Sequence, residues 1–275
     1  MEQERPLAIV TGGGRGIGQA TALGLAEDGF RIAVVDRDLA KAEDTVNAIL
    51  AAGGDAQGWV CDVAKPQEVQ RLMTETIAHY GRIDVLVNNA GIIMPGFIEE
   101  ISDADWLRVV SVNLSGVFYC IKYAMPALKK RRGCIVNVAS MNGLVGQLRN
   151  PAYSATKGGV IALTRAVAID VAPMGVRVNA VCPAGVATPL LEEWFQSHAD
   201  PGSMRQATDL SHMLGRTATP EEIAAVIRFL ASAQASFITG QAIPVEGGAT
   251  LGYGAGPKPE WTAGKFVPRR DDHEG

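Results

Sequence analysis

A chain of 275 residues, 47 % hydrophobic and 20 % charged, is long enough to bury one large α/β core and too apolar to be disordered. A net charge of −4 excludes nucleic acid and anionic membrane as main partners, and no apolar run reaches the ~18 residues that a membrane span needs. The one basic run, KKRR at 129–132, falls where a helix should end and complements its dipole. The acidic N-terminus does not read as a signal peptide. Cys61, Cys120, Cys134 and Cys182 are scattered through apolar segments and form no CxxC pair, so they read as reduced core residues of a cytoplasmic protein. The four histidines share no ligand spacing, and no metal is expected.

Residues 7–11, LAIVT, suit a buried parallel strand and run into GGGRGIG (Gly12 to Gly18), then into a helical pattern. This is a dinucleotide-binding opening: Gly12 allows a tight turn, Gly16 a close approach of pyrophosphate, Gly18 close packing of helix on strand. The second strand, RIAVVD, ends on Asp36, about 20 residues on, where a carboxylate accepts from ribose hydroxyls and repels a 2′-phosphate. That favours NAD over NADP, although Arg15 and Arg37 stand near enough to pair with a 2′-phosphate. Asp38, rather than Asp36, is expected to cap the helix that follows.

The alternation continues. AQGWVCDV (56–63) reads as a strand ending at Asp62, which meets the adenine edge, and Pro66 opens the next helix. IDVLVNNAG (83–91) is a strand and turn, and a helical pair spans about 102–131 with Asn113 near its middle. CIVNVAS (134–140) delivers Ser140 at a strand end, a helix carries Tyr153 and Lys157 to about 172, and VRVNAVCP (176–183) is the sixth strand. Such alternation specifies a doubly wound, Rossmann-type α/β fold: a parallel sheet of about seven strands with helices on both faces. Ligands bind at the carboxyl ends of such strands, where Asp36, Asp62, Asn88, Ser140 and Pro183 all fall.

Tyr153 and Lys157 are four residues apart, hence on one helix face, where an ammonium favours a phenolate and suits the phenol to general acid–base work. Between Val186 and Thr219 the alternation breaks into a long, apolar-studded insertion that reads as a helical lid. A helix (220–232) and the strand in QAIPVEGG close a single domain at about residue 251. The tail 252–275 lacks period and is expected to be partly mobile.

Taken together, TGGGRGIG (11–18), Asp36, CDV (61–63), NNAG (88–91), Asn113, Ser140, YSATK (153–157), VNAVCP…TPL (178–190) and ITGQAIPVEGG resemble the short-chain dehydrogenase/reductase superfamily in its single-domain form, over roughly residues 6–250. The resemblance implies a catalytic tetrad of Asn113, Ser140, Tyr153 and Lys157. Tyr153 transfers the proton and Ser140 orients the substrate oxygen. Lys157 lowers the phenol pKa and holds the nicotinamide ribose, and Asn113 holds a relay water. It also implies that Arg15, Ile17, Val63, Asn89, Ala90, Gly91, Pro183, Gly185, Val186 and Thr188 line the cofactor. One departure is visible: Pro183-Ala184-Gly185 stands where the superfamily usually has Pro-Gly, and an alanine methyl there narrows the space or shifts the turn.

A finer resemblance, carried by TPLLEEW and GGATLGYG, is to the branch holding L-fucose dehydrogenase and a 17β-hydroxysteroid dehydrogenase, with bacterial sugar and cyclic-alcohol dehydrogenases close in style. It implies a homotetramer in which Tyr253 reaches a neighbour's pocket. Substrate contacts are expected from 92–98, 141–150 and the lid, with Met94, Gln147, Arg149 and Trp194 as candidates, the arginine pairing with an anionic group, and Phe97, Leu144, Leu148 and Leu190 as further apolar wall. The expected activity is NAD-dependent oxidation of a small secondary alcohol (a sugar, polyol or cyclic alcohol). The alternatives are an NADPH-dependent 3-oxoacyl or other carbonyl reductase, and a dinucleotide-binding protein without catalysis.

Overall fold

The structure, a computed structural model, describes residues 5–251. Seven short apolar runs become β1 (Leu7–Thr11), β2 (Arg31–Asp36), β3 (Asp55–Val60), β4 (Val85–Asn88), β5 (Cys134–Val138), β6 (Arg177–Pro183) and β7 (Ala242–Val245). They form one parallel sheet in the order β3-β2-β1-β4-β5-β6-β7. The helices between them are α1 (Gly16–Glu27), α2 (Leu39–Ala51), α3 (Pro66–Tyr80), α4 (Asp103–Val110), α5 (Gly116–Arg131), α6 (Pro151–Val171), α7 (Pro189–Gln196), α8 (Pro201–Leu210) and α9 (Pro220–Ala231).

Period-two side-chain alternation makes the sheet two-faced. Leu7 and Ile9 of β1 join α3, α5 and α6 in one apolar core, whereas Ala8 and Val10 join α1, α2 and α9 in the other. The result is the three-layer, Rossmann-like arrangement that the strand–helix alternation requires. Strand β1 pairs with β2 on one side and β4 on the other, so the chain reverses its direction of travel there and leaves a crevice at the strands' carboxyl ends.

Helix boundaries follow local chemistry. Asp38 caps α2 by accepting from Ala40 N, Pro66 stands in the first turn of α3, and Lys129, Lys130 and Arg131 occupy the last turn of α5. Two strands are shorter than their apolar runs. β3 stops at Val60 because the Asp62 carboxylate folds back onto Ala64 N and the Glu68 carboxylate takes Asp62 N, at 3.0 and 2.9 Å. β5 stops at Val138, and Ser140 instead caps the tight turn Met141–Gly143. The segment 102–131 is nearly continuous helix, widened to a π-turn at Ser111–Ser115. Tyr253 and the rest of the tail lie outside the described residues.

Candidate active site

The glycine loop is built for close approach. Gly12 and Gly16 have φ of 61° and 57°, a region that favours glycine. A Cβ on Gly18 would stand 2.0 Å from the Gly12 carbonyl oxygen, so helix and strand meet here only through a bare Cα. Asn89 staples the loop to β4: its Nδ2 donates to the Thr11 and Gly12 carbonyls, both at 3.0 Å, while its own N–H donates to Thr11 Oγ1. At the end of β2, the Asp36 carboxylate accepts from Gly14 N and Asp38 N, each at 3.2 Å, which fixes its orientation beside the loop.

A groove of about 450 Å³ runs along these strand ends. Gly12, Arg15, Gly16 and Ile17 line one end with Asp36; Asp62 and Val63 follow. Asn89, Ala90, Gly91, Pro183, Val186 and Thr188 complete the lining. Two expected lining residues are elsewhere. Gly18 is spent on the β1–α1 contact just described. Gly185 turns toward the end of α8, where a Cβ would stand 3.0 Å from Thr208 Cγ2 and from Cε1 of His212, just beyond that helix. Ala184, the residue inserted into the usual Pro-Gly, takes the wall position instead. The groove's length, its glycine cradle and the carboxylate at one end fit a dinucleotide.

The four tetrad residues converge at the other end. Asn113, fully buried on the π-turn, is locked by Ile92: its Oδ1 accepts from Ile92 N and its Nδ2 donates to Ile92 O, both at 2.9 Å. A π-turn at such a residue is a common mark of a functional position. Lys157 Nζ donates to Val138 O at 2.7 Å. A Cβ on Gly91 would lie 3.4 Å from Asn113 Oδ1 and 3.6 Å from Lys157 Nζ, so the two side chains stand close together across that glycine. Ser140 holds the turn after β5 by accepting from Asn142 N at 3.1 Å, its hydroxyl donates to Pro183 O at 3.4 Å, and it stands near enough to the Tyr153 phenol to lower its pKa.

The electrostatics depart from the i,i+4 expectation. Burial pushes the Tyr153 phenol up to about 12, against a smaller lowering from Ser140. Burial also pushes the Lys157 ammonium down to about 8. Desolvation sets the direction at both groups. The Lys157 nitrogen lies 5.6 Å from the Tyr153 ring centroid and spends its hydrogen bond on Val138.

Beyond Ser140 and Tyr153 lies a second cavity of about 270 Å³. Ile93, Ser140, Tyr153, Ala184 and Leu191 line both spaces, so the hydroxyl pair stands in their common wall. Gln147 and Trp194 line this chamber, while Met94 and Leu190 line the groove. Arg149 is a correction. Its guanidinium lies 4.7 Å from the Phe97 ring centroid and pairs with Glu100 at 3.3 Å, and it lines neither the chamber nor the groove. Phe97, Leu144 and Leu148 are likewise outside, 40, 38 and 81 % exposed.

Three further groups that were not named as candidates line the chamber. Asn142 and Asn150 both donate to Gln147 Oε1, making a carboxamide wall. His212, 2 % exposed, accepts from Gly185 N at Nε2 (3.1 Å), so its Nδ1–H donates to Thr208 O (2.7 Å). Among the described residues no three His, Cys, Asp or Glu side chains gather to hold a metal, and no helix is long and apolar enough to cross a membrane.

A glycine-cradled groove meeting a Ser–Tyr–Lys–Asn cluster at the carboxyl edge of a parallel sheet defines a nucleotide-dependent oxidoreductase. The family model described as "Enoyl-(Acyl carrier protein) reductase" matches residues 12–250, and the chain belongs to the short-chain dehydrogenase/reductase family. It is 44 % identical to meso-2,3-butanediol dehydrogenase of Serratia marcescens, over 92 % of this chain and 98 % of that one. It is 40 % identical to L-fucose dehydrogenase of Bos taurus, over 90 % of each. The ligand-free structure of aldohexose dehydrogenase from Thermoplasma acidophilum superposes with a TM-score of 0.83 at 33 % identity, covering 91 % of this chain and 96 % of that one. The protein's reaction is hydride transfer between a secondary alcohol and a nicotinamide cofactor.

Proposed function

We propose that the protein is an NAD-dependent dehydrogenase of a small secondary alcohol, of the sugar, polyol or cyclic-alcohol class. The observation that carries this reading is the position of Ser140 and Tyr153 in the wall shared by groove and chamber, where a hydroxyl in one space meets a hydride acceptor in the other. Bound in the groove, the nicotinamide supplies the hydride acceptor or donor. Asp36, oriented by Gly14 N and Asp38 N, favours an unphosphorylated ribose and hence NAD. A chamber of 270 Å³ with one carboxamide wall suits a small substrate bearing more than one oxygen. The alcohol- and sugar-dehydrogenase names of the relatives support the same class.

In this reading Tyr153 exchanges a proton with the substrate oxygen and Ser140 holds that oxygen in line. With its phenol pushed up to about 12, Tyr153 is protonated at neutral pH and set to donate. Oxidation of an alcohol needs that proton removed first. Lys157, held at about 8, titrates close enough to neutrality to pass it on, with Asn113 beside it across Gly91. Oxidation should therefore accelerate as pH rises, and carbonyl reduction should fare better at lower pH.

The reading includes a cytoplasmic homotetramer. Four buried free cysteines support the compartment. Exposed Trp106, Leu107, Phe118 and Ile169 on α4, α5 and α6, with Phe237 just before β7, support the assembly. The test is NADH formation across sugars, vicinal diols, polyols and cyclic alcohols. Reaction of 3-oxoacyl thioesters with NADPH, with no alcohol oxidised by NAD, would transfer the protein to the reductase reading.

A further inference from the structure

The rim of the groove near Asp36 sets three cations against two carboxylates. Arg15, Arg37 and Lys41 line it together with Asp36 and Glu193. Lys41 is paired with Asp38 at 3.1 Å, whereas exposed Arg37 has no ion pair among the described residues. Arg15 leaves the glycine loop and meets both carboxylate oxygens of Glu193, at 2.5 and 3.4 Å. Glu193 belongs to α7, 178 residues further along the chain, so this pair spans the groove from its glycine loop to the inserted helices. The Arg15 contact holds the Glu193 carboxyl below the usual carboxylate range, and Lys41 and Arg37 add to it.

Arg15 and Glu193 are 36 and 58 % exposed, and an exposed pair of this kind adds little to stability. Its consequence falls on what else can approach Arg15. A 2′-phosphate on the adenosine ribose would arrive beside Asp36 as a near-dianion and needs uncommitted cations, best a guanidinium that can bind it in two places. Asp36 alone does not deny it that partner, because Arg15 and Arg37 both face the same end of the groove.

We propose that Glu193 is a coenzyme-discriminating residue: by occupying Arg15, so that Arg37 is the guanidinium left to meet a 2′-phosphate, and by adding a second carboxylate at the ribose end of the groove, it disfavours a 2′-phosphorylated dinucleotide. The inference rests on the NAD reading and extends it to a residue of the inserted segment, outside the β2 acidic position.

The test uses the full chain and two probes, ADP and adenosine 2′,5′-bisphosphate, titrated calorimetrically against the parent, Glu193→Gln, Arg15→Gln and the double variant. The parent should prefer ADP. Glu193→Gln should tighten the bisphosphate about fivefold while leaving ADP within about twofold, and the gain should shrink in about 0.5 M salt. Adding Arg15→Gln should abolish the gain, which ties it to the freed guanidinium. Thermal melts of each variant check that the fold is kept. If the parent prefers ADP but Glu193→Gln leaves the ratio of the two affinities unchanged, the role of Glu193 is refuted and the NAD reading stands. If the parent itself prefers the bisphosphate, the NAD reading falls, and this inference with it.

Discussion

On one side of Ser140 and Tyr153 the walls are strand ends and the loops directly attached to them. The Gly12 turn, the Asn89 staple and the Asn113–Ile92 lock are all held by hydrogen bonds close to 3 Å between an asparagine side chain and the backbone. On the other side the walls are side chains on an inserted helix pair and a long loop, tied by Arg205–Glu192 between α7 and α8 and by Arg149–Glu100 between loops. The first region is over-determined by the sheet. The second is held by side-chain hydrogen bonds, His212 with Gly185 and Thr208 and Gln147 with Asn142 and Asn150, and by exposed ion pairs of small energy each. A scaffold of this kind keeps the reaction constant while the alcohol it accepts is free to vary.

Substitutions on the two sides should therefore differ in kind. The largest effect is expected at Lys157. Lys157→Met should lower turnover by about a hundredfold or more, measured as initial rates of NADH formation. It should also raise stability at pH 7. The folded ammonium titrates at about 8 against 10.5 for the free side chain, so the unfolded chain binds the extra proton between those values. The penalty is full below pH 8 and fades as pH rises toward 10.5, up to an order of 3 kcal/mol. Urea melts at pH 7 and pH 10 should show the variant's advantage shrinking; an advantage that does not shrink would remove burial of the charge as its cause.

Next comes Gly18→Ala. Its methyl would press on the Gly12 carbonyl, at a cost of about 1 to 3 kcal/mol in stability, with nucleotide affinity falling alongside. Trp194→Ala should act on the chamber alone: KM for the alcohol rises about tenfold while nucleotide affinity holds. Parallel losses of both would deny that the two regions are separable. Smallest is Arg149→Ala. The pair with Glu100 is about half exposed at both ends, so stability should drop by less than about 1 kcal/mol and KM should move little, for anionic and neutral substrates alike. A selective loss of anionic substrates would return Arg149 to the chamber.

The same division decides what could be read from residue order. TGGGRGIG and YSATK act through residues close in sequence, so their spacing already contains much of their geometry. Asp36 and Ser140 sit at strand ends, and alternation alone brings strand ends to one edge. Arg149 failed this kind of reading because its two partners, Phe97 and Glu100, lie about fifty residues away in the chain. Glu193 and His212 were invisible for a similar reason, since their partners Arg15 and Gly185 are adjacent only in space. The direction of the Tyr153 shift depends on burial, which no local pattern displays.

The most direct test of the whole account is Tyr153→Phe, assayed for NADH formation and, separately, for NADH binding by fluorescence titration. Removing one hydroxyl from the shared wall should cut turnover by about 10² to 10⁴ while leaving nucleotide affinity as it was. A variant that turns over as fast as the parent would contradict proton transfer through Tyr153, and with it the assignment of the wall between groove and chamber as the place of reaction.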